Sequence, residues 1–400
     1  MDTFIIDGTR TPIGSLGGAL ALVRTDDLAA HSIRSLMNKY SFIDPLDIDD
    51  VILGCANQSG EDNRNIARMA SLLAGLHYKV AGETINRLCA SGMSAIIHAH
   101  RAIQTKDGHL FISGGVEGMT RSPWIISKTS SAFGRDAKMY DSTFGWRFIN
   151  PSLEQQYGCD SMGETAENLA DKYNISRFDQ DSFALWSQEK TKNAFLANRF
   201  SKEIAPITIP LGKNNSVQFE KDEFPKPDST LEKLSSLRPA FRINGTVTAG
   251  NSSGLNDGSA ALLIGSSTII DKYQFKPLAK IISSAVIGTE PKFMGIGPVE
   301  ASRLALKKAN LKLEQMGIIE INEAFASQVL SCTRELGIDD RDSRINPNGG
   351  AIALGHPLGM SGSRLILTAA HELHEKNVEF ALCTMCIGVG QGYAVIIQRV

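Results

Sequence analysis

Glycine is concentrated in a few short clusters flanked by apolar residues, and this pattern limits the folds open to the chain. The chain has 36 glycines in 400 residues. The clusters are ISGGVEG from Ile112, TAGNSSGLNDG from Thr248, NGGAIALGHPLGMSG from Asn348 and CIGVGQG from Cys386. Such clusters mark places where one backbone approaches another backbone or a ligand closely. The sequence therefore predicts closely packed elements.

Helical and extended patterns alternate between these clusters. Alanine-rich amphipathic segments at 90–104 and 362–374 predict helices, and the β-branched runs at 51–53 and 394–397 predict strands. Buried strands that alternate with helices favour a layered α/β architecture.

One stretch, residues 121–239, lacks this alternation of helical and extended patterns. It is richer in polar residues, Pro and Asn, and its helical pattern is confined to pieces such as 179–198. We interpret it as an inserted loop domain, because the glycine-rich core pattern resumes directly after it. An independent domain bounded by linkers is the alternative.

A short internal repeat predicts that the chain consists of two related halves. The segment CASGMS from Cys89 aligns with HPLGMS from His356. Each copy is followed by an apolar helical run and then by a glycine-rich strand. If the halves are related by a twofold axis, Cys89 and His356 lie at equivalent helix starts. We expect them to face one another in one site built from both halves.

Charge and composition exclude several classes of function. Lys plus Arg number 41 and Asp plus Glu 43, for a net charge of −2. This balance lacks the basic excess of a nucleic-acid-binding surface. No apolar run reaches the roughly 18 residues of a membrane span, and the first residues lack the pattern of a signal peptide. We expect a cytoplasmic protein without nucleic-acid or membrane partners.

The six cysteines are too sparse and irregular for a disulfide scaffold. Cys383 and Cys386 have CxxC spacing, but no second CxxC or His pair accompanies them, so we expect no metal site. The glycine clusters also lack the spacing of a dinucleotide-binding or P-loop motif.

Three of these residues suggest acyl transfer. Cys89 precedes a helical pattern, where the helix N-terminus favours a thiolate, although most cysteines are small buried apolar residues. His356 lies between a glycine turn and Pro357, and not on an apolar helix face. Cys386 opens a glycine turn whose backbone N–H groups could bind an oxyanion. Two thiols and an imidazole in such turns suit chemistry through a thioester.

Seven blocks of the sequence resemble the signature blocks of the thiolase family, in family order and over nearly the whole chain. They are RTPIG at 10–14, NRLCASG at 86–92, SMGETAEN at 161–168, TVTAGNSSGLNDG at 246–258, NEAFA at 322–326, GGAIALGHPLGMSG at 349–362 and CIGVGQG at 386–392. The resemblance implies a five-layered α-β-α-β-α fold. It implies an N-terminal half at 1–270, with a loop domain inserted at about 122–250, and a C-terminal half at 271–400.

The resemblance also implies a role for each site residue. Cys89 would be the nucleophile, His356 its activating base and Cys386 the acid that protonates the released carbanion. Asn322 would hold a water that, with His356, stabilises an enolate. The backbone N–H groups of Cys89 and Gly388 would stabilise a tetrahedral intermediate. From the sequence alone, Asn322 also suits the N-cap of an amphipathic helix.

Coenzyme A is the co-substrate that the resemblance implies, with no permanently bound cofactor. Family position assigns CoA contacts to Ser253, Ala249, Met162 and Lys226. Two positions depart from short-chain biosynthetic members, which have His where Ser161 stands and Arg near Lys226. We therefore expect the CoA contacts at these two positions to differ. The family usually forms homotetramers built as dimers of dimers.

Three segments resemble one branch of the family, the 3-oxoadipyl-CoA (β-ketoadipyl-CoA) thiolases of aromatic-compound degradation. They are GCANQSGEDNRNIARMASLLAGL from Gly54, TFGWRFINP from Thr143 and TMCIGVGQG from Thr384. This branch cleaves 3-oxoadipyl-CoA with CoA to succinyl-CoA and acetyl-CoA, in the phenylacetate or β-ketoadipate pathway. Among the loop-domain cations Arg135, Lys138 and Arg147, we expect Arg147 to bind the substrate carboxylate, because aromatic residues flank it.

Three other functions remain open from the sequence. The chain could be an acetyl-CoA C-acetyltransferase or 3-ketoacyl-CoA thiolase of fatty-acid metabolism. A condensing ketoacyl synthase shares the fold, but we would expect a second histidine where Cys386 stands. A non-catalytic carrier protein of the same fold is disfavoured by the presence of Cys89, His356, Asn322 and Cys386.

Overall fold

A computed structural model describes residues 1–212 and 215–400. Its strands are β1 (Thr3–Arg10), β2 (Gly14–Ser15), β3 (Asp50–Gly54), β4 (Ala81–Ile85), β5 (Leu110–Gly118), β6 (Trp124–Ile126), β7 (Met139–Asp141), β8 (Ile207–Gly212), β9 (Asn215–Phe219), β10 (Asn256–Ser266), β11 (Ala279–Gly288), β12 (Met316–Ile321), β13 (Phe380–Ile387) and β14 (Gln391–Arg399).

The helices are α1 (Thr25–Lys39), α2 (Ile66–Leu73), α3 (Ser91–Thr105), α4 (Pro151–Tyr157), α5 (Met162–Lys172), α6 (Arg177–Leu196), α7 (Leu231–Ser235), α8 (Ser267–Tyr273), α9 (Gly297–Ala309), α10 (Ala326–Glu335), α11 (Ala351–Leu354) and α12 (Leu358–Glu375). None of the helices described has the length and apolar character needed to cross a membrane.

The strand order shows the internal repeat. The main sheet runs β12-β13-β14-β11-β1-β10-β5-β3-β4. From β1 outward the pairings are antiparallel to β10, antiparallel to β5 and parallel to β3. From β11 outward they are antiparallel to β14, antiparallel to β13 and parallel to β12. The two sets of strands therefore have the same topology, as the GMS repeat predicts.

The elements pack in five layers. Helices α1 and α2 cover the outer face of the N-terminal strands, and α9 and α10 cover the outer face of the C-terminal strands. Helices α3 and α12 lie between the two sets of strands, where the largest apolar core is found. The strands β5, β10 and β13 are almost completely buried, as expected for strands covered on both faces.

The two central helices approach each other closely at their N-terminal ends. A Cβ atom on Gly92 of α3 would lie 2.5 Å from the carbonyl oxygen of Gly359 in α12. A Cβ atom on Gly362 would lie 2.5 Å from the backbone nitrogen of Met93. Only glycine permits this separation, since both distances are shorter than van der Waals contact. The glycines of the repeat thus bring the two helix starts together.

Buried ion pairs attach the segment 122–250, which we predict to be an inserted loop domain, to the core. Arg10 of β1 is fully buried and makes bidentate hydrogen bonds of 2.7 and 2.9 Å to Asp222. Its Nε donates to Glu203 at 3.2 Å. Arg199 donates to Glu372 of α12 at 2.8 Å. Breaking one partner of such a pair leaves a buried charge uncompensated, which costs about 3–5 kcal/mol.

The contact between α3 and α12 generates a stability prediction. We expect Gly92→Ala to lower the melting temperature, because overpacking costs about 1–3 kcal/mol. Because the added Cβ clashes with backbone atoms, which cannot rotate away, we expect a cost in the upper part of that range, above the ~1 kcal/mol by which Ala is favoured over Gly inside a helix. Gly288→Ala is the control, since a Cβ there meets no heavy atom closer than 4.0 Å. Differential scanning fluorimetry of both variants measures the difference, and equal melting temperatures would contradict the prediction.

Candidate active site

Cys89, His356 and Cys386 line one cavity of about 250 Å³ between the two halves. Cys89 lies in a 3₁₀ turn, two residues before α3 begins, and His356 lies two residues before α12 begins. The two residues therefore occupy equivalent positions, as the repeat predicts. The other residues that line this cavity are mostly apolar: Met119, Phe144, Met162, Phe241, Ser252, Ser253, Gly254, Leu255, Met294, Ala324, Phe325 and Leu358.

The backbone before Cys89 is held in an unusual conformation. Leu88 has a φ of 46°, in the left-handed region that a branched side chain rarely adopts. The Ser91 hydroxyl fixes the turn, because it donates to the Leu88 carbonyl at 2.7 Å and accepts from the Arg87 N–H at 2.9 Å. This turn positions the Cys89 thiol at the cavity.

The surroundings of Cys89 favour the protonated thiol, contrary to the expectation from its place at a helix start. The pKa of Cys89 is raised to about 11, chiefly by burial and to a smaller extent by the nearby Glu117 carboxylate. The backbone N–H groups of Gly388 and of Cys89 itself act in the opposite direction. The effect of lost hydration on the pKa thus outweighs that of the N–H groups, so Cys89 needs a base in order to react as a thiolate.

His356 is held in the form that suits a base. Its Nδ1 lies 2.6 Å from Ser361 Oγ, and that hydroxyl donates to the Pro357 carbonyl at 2.9 Å. The hydroxyl has one proton, so Nδ1–H is the donor and Nε2 carries the lone pair. Burial, assisted by the charge of Arg364, lowers the pKa of His356 to about 3. The neutral imidazole is the stable form at neutral pH.

Asn322 follows β12 and faces the same imidazole. Its Nδ2 lies 3.3 Å from His356 Nε2, and its fully buried Oδ1 has no hydrogen-bond partner among the residues described. The N-cap position of α10 belongs to Phe325, so the N-cap interpretation of Asn322 is wrong. The neighbouring Glu323 has a structural role, accepting from Ser187 and Asn346 at 2.7 Å each.

Cys386 is the last but one residue of β13 and is completely buried. Burial raises the pKa of its thiol well above the usual value, and the neighbouring Cys89 contributes in the same direction. The strand then ends in a tight turn at Gly388, Val389 and Gly390, where Val389 has a φ of 65°. The turn brings the Gly388 N–H to the Cys89 thiol.

The four residues expected to contact CoA are divided between two cavities. Met162 and Ser253 line the first cavity, the one shared by Cys89, His356 and Cys386. Ala249 and Lys226 line a second cavity of about 470 Å³, and the loop 249–254 borders both cavities. Ser161 caps α5, accepting from the Glu164 N–H at 3.3 Å.

A third cavity, of about 490 Å³, also reaches Cys89 and is walled by the inserted segment. Arg147 lines it, half-buried, as do Asn57 and Glu117. Arg135 and Lys138 are exposed and do not line this cavity. The sequence motifs ISGGVEG and GCANQSG contain Glu117 and Asn57, but nothing in the motifs distinguished these two residues from their neighbours.

One group of residues in the described chain has the spacing of a metal site. Ligand atoms of Cys55, Asp62 and Glu117 lie within 4.8 Å of one another. Glu117 already accepts three backbone N–H groups, from Ala56, Asn57 and Gly359, at 2.8–3.0 Å. Backbone N–H groups also bind both oxygens of Asp62. These hydrogen bonds account for the carboxylates without an ion.

Two cysteine thiols and an imidazole that line one cavity are typical of an enzyme that transfers acyl groups. The comparisons with known proteins give the family. The family model described as "Thiolase, N-terminal domain" matches residues 3–268, and the family model described as "Thiolase, C-terminal domain" matches residues 275–399. The chain belongs to the thiolase family.

Its relatives match over their full length. The chain is 55% identical over 399 residues, all of both chains, to the "3-oxoadipyl-CoA/3-oxo-5,6-dehydrosuberyl-CoA thiolase" of Escherichia coli. It is 53% identical, over 99% of both chains, to the "Beta-ketoadipyl-CoA thiolase" of Acinetobacter baylyi. The structure of human mitochondrial 3-ketoacyl-CoA thiolase in complex with CoA matches with a TM-score of 0.91, at 41% identity, over 100% of this chain and 98% of that chain. The predicted thiolase fold is confirmed.

The raised pKa of Cys89 generates a prediction about its reactivity. We expect alkylation by iodoacetamide to accelerate about tenfold per pH unit between pH 6 and 9, because the thiolate fraction increases in that proportion below the pKa. Mass spectrometry of the Cys89 peptide gives the rate, with the buried Cys386 as the internal comparison. A rate that levels off below pH 7 would contradict the prediction, since it would indicate a thiolate–imidazolium pair.

Proposed function

We propose that this chain cleaves 3-oxoadipyl-CoA with CoA, giving succinyl-CoA and acetyl-CoA in the degradation of aromatic compounds. The main observation behind the proposal is that Cys89, His356 and Cys386 line the same cavity. The third cavity also reaches Cys89, and the positive charge of Arg147 in its wall supports a substrate with a terminal carboxylate. The names of the relatives at 53–55% identity support the same substrate.

The first half of the reaction breaks the carbon–carbon bond. His356 Nε2 takes the proton of Cys89, and the sulfur attacks the 3-keto carbon. The tetrahedral intermediate collapses, the bond between C2 and C3 breaks, and its electron pair moves to C2 as the enolate of acetyl-CoA. Cys386 donates its proton to C2, so acetyl-CoA leaves and the succinyl group remains on Cys89 as a thioester.

Two oxyanions need stabilisation during this half. The backbone N–H groups of Cys89 and Gly388 serve the tetrahedral intermediate, in keeping with their position around the thiol. A water held by Asn322 serves the enolate together with His356, in keeping with the unpartnered Oδ1 of Asn322. Each such donor is typically worth about 3–4 kcal/mol of barrier.

The second half transfers the acyl group to CoA. The Cys386 thiolate takes the proton of the CoA thiol, and the CoA sulfur attacks the thioester carbon. The bond to Cys89 breaks, and the imidazolium of His356 returns its proton to the departing sulfur. CoA is the co-substrate and extends from Met162 and Ser253 toward Ala249 and Lys226, in keeping with the loop 249–254 that borders both cavities.

The assembly that we propose is a cytoplasmic homotetramer, a dimer of dimers. The antiparallel pair β6–β7 and the loop between its strands support a contact with another copy of the chain. Trp124, Ile126, Phe133 and Met139 in this region are all more than half exposed. Apolar groups gathered on one surface in this way mark contacts with other chains.

Substrate cleavage by the purified protein tests the proposal directly. Incubation with CoA and either 3-oxoadipyl-CoA or acetoacetyl-CoA, followed by chromatography of the products, separates the alternatives. Preference for 3-oxoadipyl-CoA is the expected result, and preference for neutral 3-ketoacyl chains would indicate a thiolase of fatty-acid metabolism. Condensation of malonyl and acetyl donors would indicate a ketoacyl synthase, and no thioester cleavage at all would indicate a carrier protein.

The roles of the two thiols generate a prediction. We expect Cys386→Ser to acetylate Cys89 slowly from an acetyl donor, yet to lose exchange of the acetyl-CoA α-proton with D₂O, because Cys386 moves that proton. Cys89→Ser is the control and should lose covalent acetylation while retaining its melting temperature. Mass spectrometry detects the acetyl group and NMR the exchange. Unchanged exchange in Cys386→Ser would assign the proton transfer to another group.

The carboxylate of the substrate generates a second prediction. We expect Arg147→Ala to lower kcat/KM for 3-oxoadipyl-CoA, relative to acetoacetyl-CoA, at least tenfold, about 1.4 kcal/mol. An unpaired carboxylate in the cavity loses hydration without compensation. Lys138→Ala is the matched control, since Lys138 belongs to the same segment and is exposed. Equal losses on both substrates would make Arg147 a structural residue.

A further inference from the structure

Asn57 connects the core to the segment that carries Arg147. It lies three residues after β3, and its backbone N–H donates to Glu117 Oε1 at 3.0 Å. Its side-chain Nδ2 donates to Ser122 Oγ at 2.5 Å and to the Ser142 carbonyl at 3.1 Å. The Asn57 amide is therefore fixed from several directions.

The orientation of this amide follows from the chemistry of its neighbours. The Ser142 carbonyl can only accept a hydrogen bond, so it faces the NH₂ group of Asn57. The Arg147 guanidinium can only donate, and its Nη2 lies 3.3 Å from Asn57 Oδ1. Both contacts require the same orientation, with the amide oxygen toward Arg147.

Two neutral oxygens hold the guanidinium of Arg147. Nη2 donates to Asn57 Oδ1, and Nη1 donates to the Ser142 carbonyl at 3.4 Å. A guanidinium has five N–H groups, so three are not used by these two contacts. No carboxylate within residues 1–212 and 215–400 forms an ion pair with Arg147. The charge is oriented by neutral acceptors and is not neutralised.

Among the described residues that line the cavity of Arg147, Glu117 has the only side-chain carboxyl group. Glu117 lines the same cavity as Arg147, but its carboxylate accepts from the backbone N–H groups of Ala56, Asn57 and Gly359. Glu117 thereby holds the loop of Asn57 in place and leaves Arg147 unpaired. An anion on the acyl chain would find a positioned cation in the cavity that contains Cys89.

We infer that Asn57 determines acyl-chain specificity as a positioning residue, because its amide oxygen holds Arg147 in the cavity wall without neutralising it. The inference rests on the proposed cleavage of 3-oxoadipyl-CoA. Loss of the amide oxygen releases the guanidinium from the wall. A carboxylate at position 57 instead forms an ion pair with Arg147 and competes with the substrate for it. Both changes reduce the preference for a chain that ends in a carboxylate.

A double-mutant cycle tests the inference. The quantity measured is the ratio of kcat/KM for 3-oxoadipyl-CoA to kcat/KM for acetoacetyl-CoA. We expect Asn57→Ala and Asn57→Asp each to lower this ratio at least fivefold, and neither to lower it further in an Arg147→Ala background. Asn57→Asp retains the side-chain volume, so it provides a second variant if Asn57→Ala does not fold. Asn63→Ala is the matched control, an exposed asparagine of the same loop.

The outcomes separate the inference from the proposed function. Wild-type protein that cleaves acetoacetyl-CoA but not 3-oxoadipyl-CoA overturns the proposed substrate and the inference with it. A wild-type preference for 3-oxoadipyl-CoA with an unchanged ratio in both Asn57 variants overturns the inference alone. Equal losses on both substrates, or an additive loss in the double variants, assign Asn57 to the fold and also overturn the inference.

Discussion

The close approach of α3 and α12 is the contact on which the rest of the structure depends. The two helices come from different halves of the chain, and each begins two residues after a residue of the site. Their separation is set by Gly92, Gly359 and Gly362, where a side chain would collide with the opposite backbone or with a neighbouring strand. A larger residue at these positions would move Cys89 away from His356. Backbone packing therefore positions Cys89 and His356, the two residues that we propose as nucleophile and base.

Burial at this interface also decides the electrostatics of the site. Loss of hydration raises the pKa of both thiols and lowers that of His356, which favours the uncharged form of all three groups before substrate binds. A neutral set avoids placing unpaired charges in an apolar cavity. Charge then develops only as the reaction proceeds, where N–H groups are already oriented to receive it.

Local patterns in the sequence predicted most of this structure. The alternation of apolar segments predicted the α/β layers, and the repeat placed Cys89 and His356 opposite each other. The state of the Cys89 thiol could not be predicted in this way, because it depends on hydration lost to elements distant in sequence. The same limit applies to Asn57 and Glu117. Their roles arise from hydrogen bonds to residues some 60–90 positions away, which leave no local pattern.

The position of β1 in the sheet has a consequence for synthesis of the protein. β1 is made first, yet its two neighbours in the sheet are β10 and β11, which begin at Asn256 and Ala279. At a translation rate of about 5–20 residues per second, β1 waits on the order of 10–50 s for its partners. During that time its apolar side chains and free backbone groups are open to pairing with other chains. Among the described strands of this sheet, β1 thus has the longest exposure to aggregation, and a chaperone that protects it would act during translation.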